Sequence, residues 1–373
     1  MKIKTFLALL LFIPGQTLCA QTEKISWKLA GRLHFDGVGY VNSHDTLSSQ
    51  LDIVDARLGG KVTMGNWYVT IDFSFAGSKV TAKDIFVQYS KDGNYYRIGH
   101  QFGSFGFEQT NSSNDLLFNA AANVTNLFSP GRRLGFTYTR TKPTYYISAG
   151  AFLGDDINVK TSVKQGHNMT IRGAWKPINN ENSFLHIGAS GYYRVPDMDK
   201  ASDSRELIIS AKGVTRAKSV ALQYLALDNV QNQIQFGGDC YFYKNKWMMQ
   251  AEYMWMRINR KHAEAYEGYG GYVQTGYLIR GSHFGYDEVD ALPTMPTDNG
   301  SILLIARYNN SRMNDYSSEL YAGNQQDFSV GLDYFYNKHL STRLSYSYIK
   351  LDEKSRLSEQ NIHTIVGRIQ FKF

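Results

Sequence analysis

The sequence predicts an all-β fold, a transmembrane antiparallel β-barrel of sixteen strands, with eighteen as the alternative count. Three observations predict it. Apolar and polar residues alternate with period two along most of the chain, connections alternate between short and long, and the chain ends on an alternating strand whose last residue is Phe373.

The first twenty residues stand apart from this pattern. Lys2 and Lys4 precede an apolar run, Thr5 to Pro14, that is too short to cross a bilayer, and cleavage after Ala20 fits a secretory signal peptide. Residues 1–20 are therefore read as a signal peptide and 21–373 as one barrel domain. Cleavage removes two lysines and no acid, which lowers the net charge from +7 to +5. No later run reaches the roughly eighteen apolar residues of a membrane helix, so the exported chain has no helical anchor. Tyr and Phe number 26 and 21 against 7 Pro, the balance expected of aromatic girdles on a barrel. The mature chain keeps one cysteine, Cys240, and so has no internal disulfide. The nine histidines form no H-x-x-x-H or Cys/His cluster, so neither metal nor cofactor is expected. Lys and Arg recur once or twice per strand instead of forming a nucleic-acid stripe.

Taken in order, the strands open at Ile25–Val41, where Trp27, Leu29, Leu33 and Phe35 oppose Lys28, Arg32, His34 and Asp36. In Trp67–Phe75 the odd-numbered residues are apolar, while Tyr68, Thr70, Asp72 and Ser74 face the other way. Ile234, Phe236, Cys240 and Phe242 alternate with Gln233, Gln235 and Asp239. Leu340, Leu344, Tyr346 and Tyr348 alternate with Arg343, Ser345 and Ser347, and the final strand sets Ile365, Ile369, Phe371 and Phe373 against Arg368, Gln370 and Lys372. Short connections fall at Met64-Gly65-Asn66, Lys142-Pro143, Lys244-Asn245-Lys246 and Asn337-Lys338. Long ones are read at Asn42–Ser49, Gly154–Asn168, Asn259–Glu267 and Lys350–Asn361. Short periplasmic turns and long outer loops are the outer-membrane arrangement. The strand count turns on Pro196–Asn232, where Arg205–Lys212 and Ala221–Leu227 read either as two strands or as parts of a long fifth loop. Sixteen strands enclose an aqueous channel.

Between Phe102 and Pro130 no strand of usable length appears. An irregular segment of this length inside a regular barrel is functional more often than not, and it is read as a loop that folds inward and narrows the lumen. The residues leading into it are Arg97-Ile98-Gly99-His100-Gln101-Phe102-Gly103-Ser104-Phe105-Gly106-Phe107-Glu108, followed by Ser112, Ser113 and Asp115. This run resembles the phosphate-selective porin O and P family, through Arg97, Gly99, Phe105, Gly106, Glu108, Ser112, Ser113 and Asp115. Lys83-Asp84-Ile85-Phe86-Val87, Gln250-Ala251-Glu252-Tyr253, Gly270-Gly271-Tyr272-Val273-Gln274 and Ala306-Arg307-Tyr308 resemble further strands of that family. The resemblance implies a trimeric outer-membrane channel for passive diffusion, often favouring anions. It also implies a constriction built from 102–130, the fifth loop 196–232 and a long periplasmic turn 282–299. The chain departs from the family pattern at Phe102, where the family has Lys, at Ser104, where it has Pro, and at Asn119-Ala120. No Lys or Arg lies in 102–130, so that loop supplies none of the charge-assisted donors a phosphate site needs.

The candidate pore-lining and constriction residues are Arg32, Asp36, Arg57, Arg97, Glu108, Asp115, Arg132, Arg133, Arg280 and Arg307. Most lie on the polar face of their strands; Glu108 and Asp115 lie in the loop. Read as a transverse field, Arg32, Arg57, Arg97, Arg132 and Arg133 form a basic wall facing Glu108 and Asp115. Read blandly, each merely wets the lumen. The expected function is an outer-membrane porin for small hydrophilic solutes with a weak preference for anions, embedded in outer-membrane lipid, assembled as a homotrimer and not an enzyme. Three alternatives accompany it. One is a phosphate- or polyphosphate-selective channel whose basic site comes from Arg194, Lys200, Arg205, Lys212, Arg216 and Lys218 in or beside the fifth loop. Another is a closed scaffold or adhesion barrel, and the last a barrel hydrolase using His34 and Asp36.

Overall fold

Alternation with period two becomes sixteen strands in a closed ring. In this computed structural model, which describes residues 25–41, 47–159, 163–200, 202–357 and 361–373, they are β1 (Ile25–Val41), β2 (Gln50–Met64), β3 (Trp67–Ser74), β4 (Thr81–Lys91), β5 (Asn94–Phe102), β6 (Arg132–Lys142), β7 (Tyr145–Leu153) and β8 (His167–Asn180). Then come β9 (Ser183–Val195), β10 (Val230–Lys244), β11 (Trp247–Arg260), β12 (Ala263–Arg280), β13 (Ser301–Arg312), β14 (Gln325–Phe335), β15 (Leu340–Leu351) and β16 (Asn361–Lys372). The expected signal peptide lies outside the described residues. Each strand pairs antiparallel with the next, and β1 pairs with β16 from Arg32↔Lys372 to Val41↔His363. Closure leaves few backbone groups unpaired in lipid, where each would cost several kcal/mol.

The two faces fall as the alternation requires. Trp27, Phe35, Ile71, Phe236, Leu344, Ile369 and Phe371 are exposed on the outside, whereas His34, Asp36, Gln235, Asp239 and Arg368 are buried within. Trp67, Tyr89, Tyr96 and Tyr138 meet as tilted ring pairs across four consecutive strands, an aromatic row of the kind that sits at a membrane interface. At the seam Gly31 and Phe373 exchange backbone hydrogen bonds, both 3.1 Å, and the Phe373 ring occupies the space a Cβ on Gly31 would take.

Sixteen is the count because Leu207–Ala211 and Gln223–Leu227 pair only with each other, as a hairpin of the fifth loop. The long connection expected at Asn259–Glu267 is instead a two-residue turn: β11 runs to Arg260 and β12 starts at Ala263. The polar residues that suggested a loop are cross-strand partners, Arg257 and Glu267 at 2.5 Å, and His262 closes the turn at φ 56°.

Much of the lumen is not water. The loop between β5 and β6 carries a short helix, α1 (Asn123–Phe128). Val124, Leu127 and Phe128 of that helix pack with Leu207, Ile209, Leu225 and Leu227 of the fifth-loop hairpin, and with Met254, Met256 and Ile258 of β11. A second apolar cluster joins Phe107, Leu117 and Phe118 of the loop to Phe284 and Met295 of the periplasmic turn. Both clusters rest on the β9–β14 side. The open cavity, about 1100 Å³, is left against β1–β6.

Candidate permeation site inside the barrel

The loop 103–131 is held across the lumen by charges of both signs, each matched to a backbone group. Arg343 on β15 donates to the Leu116 carbonyl at 2.9 Å, Arg368 on β16 to Asn119 at 2.6 Å, and Arg307 on β13 to Ala120 at 3.0 Å. Each arginine also has a carboxylate: Arg343–Asp333 and Arg368–Asp36 at 2.6 Å, and Arg307–Glu108 at 2.8 Å. Glu252 on β11 works with the opposite polarity, accepting from the amides of Phe107 and Glu108 and from the Tyr272 hydroxyl. Gly106 sits beside it with φ +71°, a conformation that suits glycine, and a Cβ there would stand 2.9 Å from Glu252 Oε1. On the β1–β2 side Arg32 donates to Ser112 and Ser113 at 3.1 and 2.7 Å, and Ser113 donates to Asp55 at 2.6 Å.

The sequence-expected residues therefore divide. Arg32, Arg57, Arg97, Arg132, Glu108 and Asp115 border the open cavity. Arg57 pairs with Asp55 at 2.9 Å and Asp72 at 3.4 Å. Arg97 reaches Asp290 at 3.3 Å and lies over the Phe86 ring. Arg132 is bidentate to Asp84 at 2.9 and 2.8 Å and lies 3.9 Å from the Phe102 ring centroid. Asp115 receives the Met295 amide at 3.4 Å, with Lys372 at 3.9 Å. Asp36 and Arg307 are buried anchors outside the cavity lining.

Three expectations are corrected by this arrangement. Glu108 does not face a basic β1–β6 wall, because it is buried against Arg307 and Gln274 on the other side of the lumen. Arg133 does not join Arg132 at the cavity: it pairs with Asp155 at 3.3 Å, which Arg194 also holds at 2.6 Å. Arg280 is exposed beside Gly300 at the barrel end, because a bulge between Leu278 and Arg280 shifts the phase of β12. The cavity wall thus carries arginine–aspartate pairs side by side, in place of a field from wall to loop. His34 and Asp36 are not joined either: His34 contacts Asn114 at 2.9 Å, and Asp36 is committed to Arg368.

Sequence reasoning placed Glu252, Arg343 and Arg368 on the polar face of their strands without choosing them as constriction residues, and gave Lys83 no role in the pore. Asp36↔Arg368 and Asp333↔Arg343 lie directly opposite across their strand pairs, so the signal was a register relation that becomes visible once strands are paired.

The periplasmic turn 282–299 enters from the other end of the barrel. Its Asp290 meets Arg97, its Glu288 meets Lys176 on β8, and its Tyr286 hydroxyl contacts His186 at 2.6 Å. Burial, then the neighbouring Asp290, push the Asp287 carboxyl above the usual range. Asp287, Val289, Asp290, Leu292 and Thr294 of this turn border the cavity, as do residues of the 103–131 loop and Arg216 of the fifth loop.

The family model for phosphate-selective porin O and P matches residues 28–373. The chain belongs to that family. As a porin of this family it is a β-barrel channel of the Gram-negative outer membrane. An uncharacterized protein of Caulobacter vibrioides is 22% identical to this porin over 345 residues, covering 87% of this chain and 68% of the relative. Among solved structures, an anion-selective porin from Comamonas acidovorans superposes with TM-score 0.62 at 10% identity, covering 94% of this chain and 100% of that one. OmpT of Vibrio cholerae in its trimer form superposes with TM-score 0.61 at 8% identity, covering 94% and 99%. At these identities the likeness concerns the fold.

Proposed function

We propose that the porin passes small hydrophilic solutes through the β1–β6 side of its lumen with a modest preference for anions and no saturable phosphate site. The observation that carries this reading is the composition of the cavity wall. Ten Lys and Arg against six Asp and Glu border it, yet Arg57, Arg97 and Arg132 each have a carboxylate within 3.4 Å. The surplus of cations favours anions in transit. Pairing takes Arg57, Arg97 and Arg132 out of the free donors that could strip and hold a phosphate. A passive channel, with no catalytic role for His34 or Asp36, fits the commitment of both residues to structural partners.

The test is single-channel recording in planar bilayers. A reversal potential modestly on the anion side in a salt gradient, with chloride current not saturably blocked by phosphate, is the expected result. Saturable phosphate block would overturn the second half and favour the phosphate- or polyphosphate-selective reading. Arg216 supports that reading, since it reaches the cavity from the fifth loop, 3.3 Å from Asp55. The trimer of the similar Vibrio barrel supports a homotrimer here; mass determination in detergent by light scattering tests it.

A further inference from the structure

Four charged residues stand in one row on the lumen face of four neighbouring strands. Asp333 on β14 lies directly opposite Arg343 on β15, Arg343 opposite Arg368 on β16, and Arg368 opposite Asp36 on β1. The order across the wall is therefore acid, base, base, acid. Arg343 grips Asp333 through Nε and Nη2, both at 2.6 Å, and Arg368 grips Asp36 through the same two atoms at 2.6 and 2.7 Å. Each Nη2 also holds a carbonyl of the constriction loop, Leu116 for Arg343 and Asn119 for Arg368. A guanidinium is planar, and its Nη1 stands on the edge away from the Nε–Nη2 pair. Both carboxylates lie on the outer strands of the row, so the two Nη1 groups are turned inward, into the gap between the arginines.

Arg343 Nη1 and Arg368 Nη1 are both buried with no hydrogen-bond partner among the described residues, and so are both side-chain polar atoms of Asn119. Exposure is 7% for Arg343, 3% for Arg368 and 1% for Asn119, and neither arginine borders the open cavity. Like charges directly opposite across a strand pair repel, and a buried donor left unmet costs more on a charged group than on a neutral one. A water answers this poorly, because it brings two hydrogens of its own into a gap walled by donors. A small anion accepts from every side, and hydrogen bonds between a guanidinium and an anion are the strong kind. The charge it adds is offset along the adjoining cavity wall, which Leu116 also borders and where ten Lys and Arg stand against six Asp and Glu.

We propose that the gap between Arg343 and Arg368 binds a single small inorganic anion of the halide class, and that its occupancy ties the Leu116–Asn119 stretch of the constriction loop to the barrel wall. The site is structural and lies apart from the permeation path, so it stands or falls independently of the porin reading. Crystals of the full chain soaked in sodium bromide should show an anomalous peak between the two Nη1 atoms. In detergent at constant ionic strength, chloride or bromide in place of gluconate, which is too large for a gap between adjacent strands, should raise the unfolding temperature saturably. Arg343→Met/Asp333→Asn removes one wall of the site without stranding a charge, and should abolish the rise. Asn119→Asp fixes a negative charge beside Arg368 and should reduce the rise, which keeps the test open where the double variant does not fold. A site without bromide signal, whether empty or holding a water only, overturns the proposal, as does a chloride-dependent rise that either variant keeps at full size. A bromide peak with no chloride-dependent rise shows binding at crystal concentration only and overturns it equally.

Discussion

Arg307→Met should release the constriction loop. In the native structure Arg307 donates to Glu108 at 2.8 Å, Gln274 at 2.9 Å and the Ala120 carbonyl at 3.0 Å, with 3% of its side chain exposed. Methionine fills a similar volume but leaves the Glu108 carboxylate buried with no counter-charge. Breaking a buried pair in this way costs about 3–5 kcal/mol. Glu108 keeps the Gln274 amide at 3.0 Å and the Ala122 amide at 2.6 Å, which places the expected loss nearer the lower figure. Relief comes most readily by detaching the loop, since the β13 strand is fixed on both edges by its ladder. Single-channel conductance should therefore rise and become noisier, and the temperature at which the barrel loses its folded mobility in gels should fall. The double variant Arg307→Met/Glu108→Gln removes the stranded charge and should recover most of the stability, giving a large coupling energy in a double-mutant cycle. Parental conductance and melting in Arg307→Met, or a double variant less stable than the single one, would refute the anchor argument.

Other outcomes follow from the same geometry. Gly31→Leu should evict the Phe373 ring from the seam and, like Phe373→Asp, reduce the amount of folded barrel recovered from outer membranes; undiminished recovery of either variant would count against the seam. Asp84→Asn frees the Arg132 guanidinium at the cavity wall and should move the reversal potential further toward anions, whereas removing Arg32, Arg57 and Arg97 together should move it toward cations. Arg280→Ala should leave selectivity within experimental error, because its side chain lies at the exposed barrel end; a clear shift would place it back in the pore. Phe102→Lys sets a second cation beside Arg132 and should raise anion preference more than a lysine added to an outer loop, which screening over about 8 Å isolates from the path.

The sequence by itself determined the barrel, because strand faces follow from a local rule. Side chains on a strand alternate, so Trp27 and Phe35 outside with His34 and Asp36 inside could be read from neighbours two residues apart. It also determined that 102–130 is the irregular segment, and the resemblance around Arg97 to Asp115 carried its inward fold. Tertiary structure alone decided what the charges do. Glu108 and Arg307 are 199 residues apart, and Asp36 and Arg368 are 332 apart; nothing local in either segment marks the partner. The phase of β12 at Arg280 depended on a bulge, and the separation of Arg132 from Arg133 on partners outside β6, Asp84 for one and Asp155 for the other. Above all, the displacement of the open path toward β1–β6 came from apolar residues of α1 and the fifth-loop hairpin packing inside the lumen. A segment's own pattern states that it has an apolar face, and only the closed barrel states which wall that face must cover.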